Sequence, residues 1–254
     1  MVVVRQHIGR LLCMMFGLGL AFSHTSPAQA DVTLPVILDD HMLLQRDRPV
    51  HVWGWAQPGE EVALTLNDAQ RETHADADGV WAVDPLPMKA GGPFQMAVKD
   101  KNVINVDDIM VGDLWVASGQ SNMQMYVSGF PGAPLKDSEH EKQTANHPEI
   151  RLFRVNGIPS PYPRIDFHQK SGWMVCAPES VANFSAVAYF LGREISSAEK
   201  VPIGLVDSTW GGTPAESWIS LPGLATDASL EHFRNARRLF ESIEKLLFHK
   251  TKAT

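Results

Sequence analysis

The sequence predicts an all-β sandwich domain followed by an α/β domain. Three observations carry this reading. Between residues 31 and 107, short apolar–polar alternations recur between turn signals, as antiparallel strands require. From residue 108, apolar strand-like runs alternate with stretches of helical periodicity, the mark of a parallel sheet. At the change-over, the run Leu114-Trp115-Val116-Ala117-Ser118-Gly119-Gln120-Ser121-Asn122-Met123 delivers a serine into a turn beside a glycine.

The first thirty residues stand apart from the fold. Arg5 and Arg10 form a basic start, and Leu11 to Phe22 is an apolar core of signal-peptide length. Ala28-Gln29-Ala30 is a small-x-small cleavage site. The core is too short for a comfortable membrane span, so the expected product is secreted or periplasmic and leaves the membrane on cleavage. Cys13 leaves with the signal. Cys176 is then the only cysteine, which rules out an internal disulfide and suits a small buried apolar residue. The formal net charge is −7, and losing two arginines makes the mature chain more acidic by two charges. That excess argues against nucleic acid or an anionic membrane surface as partner.

In the β region, Val62, Leu64 and Leu66 alternate with Glu61, Ala63 and Thr65. Phe94, Met96 and Val98 alternate with Gln95 and Lys99. Pro58-Gly59, Asn67-Asp68, Asp78-Gly79 and Gly91-Gly92 mark the turns. Trp53, Trp55 and Trp81 can serve as sugar-stacking platforms or as core packing. The second reading is favoured, because large aromatics dominate sandwich cores.

In the α/β region, Leu114 to Ala117 forms the first strand and a Gly/Pro-rich loop follows over 128–148. Ile150 to Val155 is a second strand, and Ile203 to Asp207 a third. Asn183 to Lys200 reads as an amphipathic helix with Phe184, Val187, Ala188, Leu191 and Ile195 on one face. Asp227 to His249 reads as a final helix. Ligands of such sheets bind at the carboxyl ends of the strands. Both Ser121 and the pair Gly211-Gly212 lie just beyond such ends.

On pattern alone, Ser121 is either a nucleophile or, with Asn122, a cap of a strand-to-helix turn. Other blocks bear on the choice. Gly119-Gln120-Ser121-Asn122-Met123 resembles the nucleophile block of the sialate O-acetylesterase family, carbohydrate esterases of the SGNH (GDSL-like) hydrolase superfamily. So do Val201-Pro202-Ile203-Gly204-Leu205-Val206, then Trp210-Gly211-Gly212-Thr213, then Trp218. Ser185 to Phe190 agrees, as do Asp40 to Arg46 and Val52-Trp53-Gly54. The blocks keep the family's order over residues about 36 to 220.

The resemblance implies an SGNH-hydrolase-like α/β domain over 108–254, flavodoxin-like, three-layered and incomplete, behind the sandwich at 31–107. It implies a serine nucleophile, Ser121, acting on acetyl esters of sugars such as sialic acid or acetylated xylan. The backbone N–H groups of Ser121 and of Gly211 or Gly212 are candidate oxyanion donors, because glycine lets the main chain approach a substrate. Gln120 and Trp210 are candidate substrate-binding residues. Trp210 and Trp218 fit either a sugar wall or core packing. The implied reaction needs no cofactor. The sequence has no His-x-x-x-His pair, cysteine cluster or phosphate-cradling loop.

The general base is not found. The family's Asp-x-x-His segment and its Gln-Gly-Glu block have no counterpart in family position. Asp137 and His140 form an Asp-x-x-His string, but far too early in the chain. His147 and His168 lie in polar loop-like segments, His232 lacks the spacing, and His249 sits in the expected terminal helix. The chain therefore reads as an amino-terminal portion of a longer esterase, with a missing carboxyl-terminal part as a possible partner. The alternative is a catalytically inactive fragment or a non-catalytic carbohydrate-binding protein. Export makes a direct prediction: amino-terminal sequencing of the mature protein starts at Asp31. Intact Met1 in a soluble cytoplasmic pool would overturn it.

Overall fold

A computed structural model of the chain describes residues 31–160, 163–167, 169, 172–224, 226, 228–232 and 235. The expected signal segment, and most of the helix expected over 227–249, lie outside these residues. Strands come first: β1 (Leu43–Gln45), β2 (Val52–Trp55), β3 (Glu61–Leu66), β4 (Ala69–His74), β5 (Val80–Val83), β6 (Gly91–Lys99) and β7 (Val103–Gly119). Then follow α1 (Ser121–Gln124), α2 (Ser138–Thr144), β8 (His147–Arg154), β9 (Met174–Cys176), α3 (Pro178–Val181), α4 (Ala186–Glu199) and β10 (Ile203–Thr209).

The strands form one mixed sheet in the order β4-β3-β6-β7-β10-β8-β9, with β1 also parallel to β7. β2 and β5 make a separate antiparallel pair. The 17-residue β7 serves both kinds of pairing. Its first part, from Val103 to Val111, runs antiparallel to β6. Its last part, from Asp113 to Gly119, runs parallel to β10, which is in turn parallel to β8. The boundary expected at residues 107 and 108 thus falls inside a single strand.

Two cores flank this sheet. The alternation read in β3 holds, with Val62, Leu64 and Leu66 buried. They meet Val98, Val106 and Ile109 and, from the β2–β5 pair, Val52 and Trp81. Phe153 and Val206, from the parallel strands, complete this first core. The other face of β8 and β10 presents Leu152 and Leu205 to Phe184, Ala188 and Tyr189. β10 is buried along almost its whole length, as a parallel strand covered on both faces should be. Each large side chain buried this way contributes about 1.5–3 kcal/mol.

Several local expectations need correction. Gly91-Gly92, read as a turn, starts β6. The stretch 128–148 holds α2 and the first residues of β8, so it is not one loop. His140 is exposed on α2, while His147 lies in β8 against the Tyr189 ring, 6.2 Å between centroids. In α4, Val187 and Leu191 face outward, 45% and 48% exposed, while Ala188, Tyr189, Gly192 and Ser196 form the buried stripe. Trp81 is a core residue, whereas Trp53 is only partly buried.

One edge of β7 is open. On the side that β6 occupies up to Val111, no strand among the described residues pairs with Asp113–Gly119. Trp115 and Val116, on opposite faces of the sheet there, are 45% and 65% exposed.

Where β7 passes between its two roles, Asp108 has a left-handed backbone (φ 56°). Its carboxylate accepts two hydrogen bonds from the buried guanidinium of Arg151 in β8, at 2.5 and 3.0 Å. His41 Nδ1 lies 2.7 Å from the same carboxylate. The Arg151 guanidinium, with help from His41, holds the Asp108 carboxyl below the usual carboxylate range, against the opposing effect of burial. A depressed folded-state pKa stabilises above the unfolded value of about 3.9, and that contribution is lost as pH falls through the folded value. Asp108→Asn should therefore flatten the acid limb of stability below about pH 4. Asp108→Ala should cost about 3 kcal/mol at neutral pH. This is the low end for a broken buried pair, because Asp108 is itself 34% exposed. Urea unfolding of the variants at stepped pH measures both. An unchanged acid limb in Asp108→Asn would remove the pair from the stability balance.

Candidate active site

The site grows from the carboxyl end of β7. Gly119 ends the strand at φ 144°, a backbone angle L side chains rarely adopt. A Cβ there would also sit 2.9 Å from Met123 Cγ. The chain then turns through Gln120 into the single turn α1, which begins at Ser121. So Ser121 stands at the carboxyl end of a parallel strand, where the sheet topology places ligands.

The turn is held from three sides. Trp210 N–H, just after β10, donates to Gly119 C=O at 2.9 Å. Gly211 N–H donates to Gln124 Oε1 at 2.7 Å. Ser185 Oγ, at the start of α4, donates to Met123 C=O at 2.6 Å, and Ala186 N–H donates to Met125 C=O at 2.7 Å. The helix cap and the turn at Ser121 thereby share one serine, since Ser185 Oγ also accepts from Ala188 N–H at 3.2 Å.

Behind this lies Asp207, buried in β10. Its carboxylate accepts from Thr209 Oγ1 at 2.5 Å and from Ser185 N–H at 3.3 Å. Arg154 Nε stands 4.0 Å away. Burial pushes the Asp207 carboxyl up, and Thr209, Arg154 and Ser185 pull it back. Asp207, Ser185 and Gln124 all support the turn, and sequence reading did not single them out. A polar residue at the end of an otherwise apolar strand was the available sign for Asp207.

The structure brings together the residues expected at the site. A Cβ built on Gly211 would lie 3.6 Å from both Cα and Oγ of Ser121, so the two blocks are in contact. Gly212 follows with φ 77° and open space around it. Trp210 and Trp218 are 38% and 42% exposed, so they line the surface here and are not core residues. Trp218 Nε1 donates to Thr213 Oγ1 at 2.9 Å, which donates to Trp210 C=O at 2.7 Å. Arg154 borders the region, its guanidinium 4.8 Å from the Tyr126 ring centroid and bonded to the Tyr126 hydroxyl at 2.7 Å.

Two glutamines occupy the polar groups that catalysis would use. Ser121 Oγ donates to Gln120 Oε1 at 2.8 Å, and Ser121 N–H points to the same oxygen at 3.2 Å. Gly211 N–H is taken by Gln124. Gln120 therefore meets Ser121 itself. An amide oxygen accepts a hydrogen bond but is no general base. No histidine among the described residues hydrogen-bonds to Ser121. His168 and His249 lie outside the described residues, and His232 is exposed.

Cys176 is the other nucleophile type near this core. It is buried under α4, and burial, with Glu149 nearby, pushes its thiol up to about 12. A thiol held protonated and out of solvent is inert. Chain starting at Asp31 should resist Ellman's reagent while folded and release one equivalent of thiol once unfolded in guanidinium. Rapid labelling of the folded protein would refute this placement.

No family model matches the chain. The mouse sialate O-acetylesterase is 35% identical to it over 201 residues, 72% of this chain and 36% of the mouse protein. The human sialate O-acetylesterase is 33% identical over 204 residues, 72% of this chain and 38% of the human protein. The chain thus spans little more than a third of the length of these curated relatives. A carbohydrate acetylesterase of solved structure from Xanthomonas citri superposes with a TM-score of 0.73 at 34% identity, over 77% of this chain and 44% of that one. Agreement with these proteins in sequence and in fold places the chain in the sialate O-acetylesterase family of carbohydrate esterases.

Proposed function

We propose that the chain carries the nucleophile half of a carbohydrate O-acetylesterase. The single observation behind this reading is the contact of Ser121 with Gly211 at the ends of two paired parallel strands. In this reading Ser121 Oγ attacks the acetyl carbonyl of a sugar ester. The proton passes to a base and then to the departing sugar oxygen, leaving an acetyl-serine that water hydrolyses to acetate. The backbone N–H groups of Ser121 and Gly211 take the oxyanion, displacing the side-chain oxygens of Gln120 and Gln124 that now hold them. Trp210 and Trp218 offer the sugar an exposed aromatic wall. Gly212 serves through its left-handed backbone.

The substrate class is an O-acetylated sugar, as the names of the relatives suggest. The finer fold reading belongs here as well. The region 31–107 acts as a β-sandwich that braces an SGNH-type, three-layer domain beginning at residue 108. The protein is exported, with maturation after Ala30. Among the described residues, no helix is long and apolar enough to cross a membrane.

The open edge of β7 and the exposed Trp115 and Val116 support a further proposal. Another strand of the family's sheet pairs there, supplied by the part of the family's length that this chain does not span. That part would also supply the base. Taken by itself, the chain favours the alternative reading of a non-catalytic form, because the Ser121 hydroxyl donates its hydrogen bond to an amide oxygen and not to a base.

One experiment separates these readings. Measure hydrolysis of 4-nitrophenyl acetate and of acetylated xylan by the chain alone and with the carboxyl-terminal part supplied. The chain alone should show little turnover, since loss of a base costs on the order of 10⁴-fold. The completed protein should be active and lose on the order of a thousandfold or more with Ser121→Ala. Unchanged turnover in that variant would overturn the nucleophile assignment. Strong Ser121-dependent activity of the chain alone would overturn the need for a second part.

A further inference from the structure

A second concavity lies on the outer face of the antiparallel strands, away from Ser121. Leu66, Met96 and Val106 are cross-strand partners and point into the core. The residues flanking them in β3, β6 and β7 therefore point outward. Thr65, Ala97 and Asn105 form one cross-strand row. Asn67, Gln95 and Asp107 form the next. Asn67 N–H donates to Gln95 C=O at 2.9 Å, and Gln95 Nε2 donates to Asp107 Oδ1 at 2.9 Å. Small side chains at the centre of the first row leave a trough of about 760 Å³, walled by Phe94 and Pro93.

The chemistry of this trough is specific in kind. Its polar groups are planar amides and carboxylates, which offer paired donors and acceptors to vicinal hydroxyls. Its apolar parts, Pro93 and Ala97, suit the C–H face of a pyranose ring. The volume lies in the range of small-ligand sites. The lining includes Asp68, Asp107 and Asp108 and no Lys, Arg or His. A carboxylated or phosphorylated ligand would be repelled. The described residues hold no His/Cys/Asp/Glu group suited to a metal ion.

We propose that this trough binds a neutral oligosaccharide or polysaccharide chain, as a site separate from the ester-cleaving one. It does not rest on the esterase reading. β7 links the two sites: Asp107 lies in its first part and Ser121 just past its end, no more than about 45 Å away at ~3.3 Å per residue. A glycan held at one end of this strand would raise the local concentration of acetyl groups at the other.

Native electrophoresis of the whole chain in gels containing neutral arabinoxylan, galactomannan or mixed-linkage glucan tests the proposal, with polysialic acid as the anionic control. At least one neutral polymer should retard the protein, and polysialic acid should not. Ser121→Ala should be retarded as strongly as the natural chain. The triple variant Asn67→Ala, Gln95→Ala, Asn105→Ala should lose at least tenfold in affinity. Ala97→Gln, which fills the trough floor from an outward position, should lose affinity too while keeping the circular dichroism of the parent. No retardation by any neutral polymer, or equal retardation of all these variants, would overturn the proposal. Loss of retardation in Ser121→Ala alone would place glycan binding at the ester site instead.

Discussion

The hydrogen-bond ladder of β7 is the constraint on which the rest of the structure depends. A strand of 17 residues spans roughly 55 Å, well beyond the roughly 30 Å diameter of a small domain. β7 gives one part of that length to an antiparallel meander and the other to a parallel sheet. The switch must occur without leaving buried backbone groups unpaired, because each such group costs about 1–3 kcal/mol. β1 solves part of this by pairing with residues 110–112, where β6 gives out and β10 has not begun. The Asp108–Arg151 pair sits beside that switch and ties β7 to β8. Arg151 Nε has no protein partner there, so one polar atom stays unpaired while the guanidinium as a whole is neutralised.

The turn at Ser121 inherits its position from this ladder. Register between β7 and β10 runs unbroken from Asp113 opposite Ile203 to Gly119 opposite Thr209. Two residues beyond each end come Ser121 and Gly211, so their contact follows from strand pairing and not from loop chance. Side chains then refine the position. Asp207 sets Ser185, Ser185 holds Met123, and Gln124 holds Gly211. Every link is a hydrogen bond that ties the turn to a neighbouring element, which is how a scaffold holds a side chain within a fraction of an ångström.

How much of this was legible in the sequence depends on what each residue's signal measures. The alternation in β3 reports burial directly, and it was read correctly. The placement of Ser121 and Gly211-Gly212 just past strand ends was legible because glycine marks turns and strand ends. The buried face of α4 was legible only in part. Phe184 and Ala188 are buried and Ile195 packs against the core, as the periodicity implies, but Val187 and Leu191 face outward, and Tyr189, Gly192 and Ser196 join the stripe instead. At Gly192 the helix lies too close to the sheet for a side chain: a Cβ there would come within 2.7 Å of Leu205 Cδ1. At that point size overrides hydropathy. The continuity of β7 was hidden for a related reason. Composition changes where the strand changes neighbours, and a shift in composition looks like a domain boundary even when the backbone runs straight through it.

The glutamines show why residue type alone does not assign a role. Gln120 and Gln124 each place a side-chain carbonyl where the proposed reaction needs a substrate carbonyl or a base. An amide oxygen satisfies the same N–H and O–H groups as an oxyanion would, but carries no full charge. Charge-assisted hydrogen bonds are about twice as strong as neutral ones. A developing oxyanion therefore competes well against these neutral partners, while a ground-state ester carbonyl gains little by displacing them. That difference is the condition for catalysis, since only interactions stronger in the transition state than in the ground state lower the barrier. Held this way, the turn keeps its donors oriented without a bound ligand, and in the proposed reaction they need only exchange one oxygen for another.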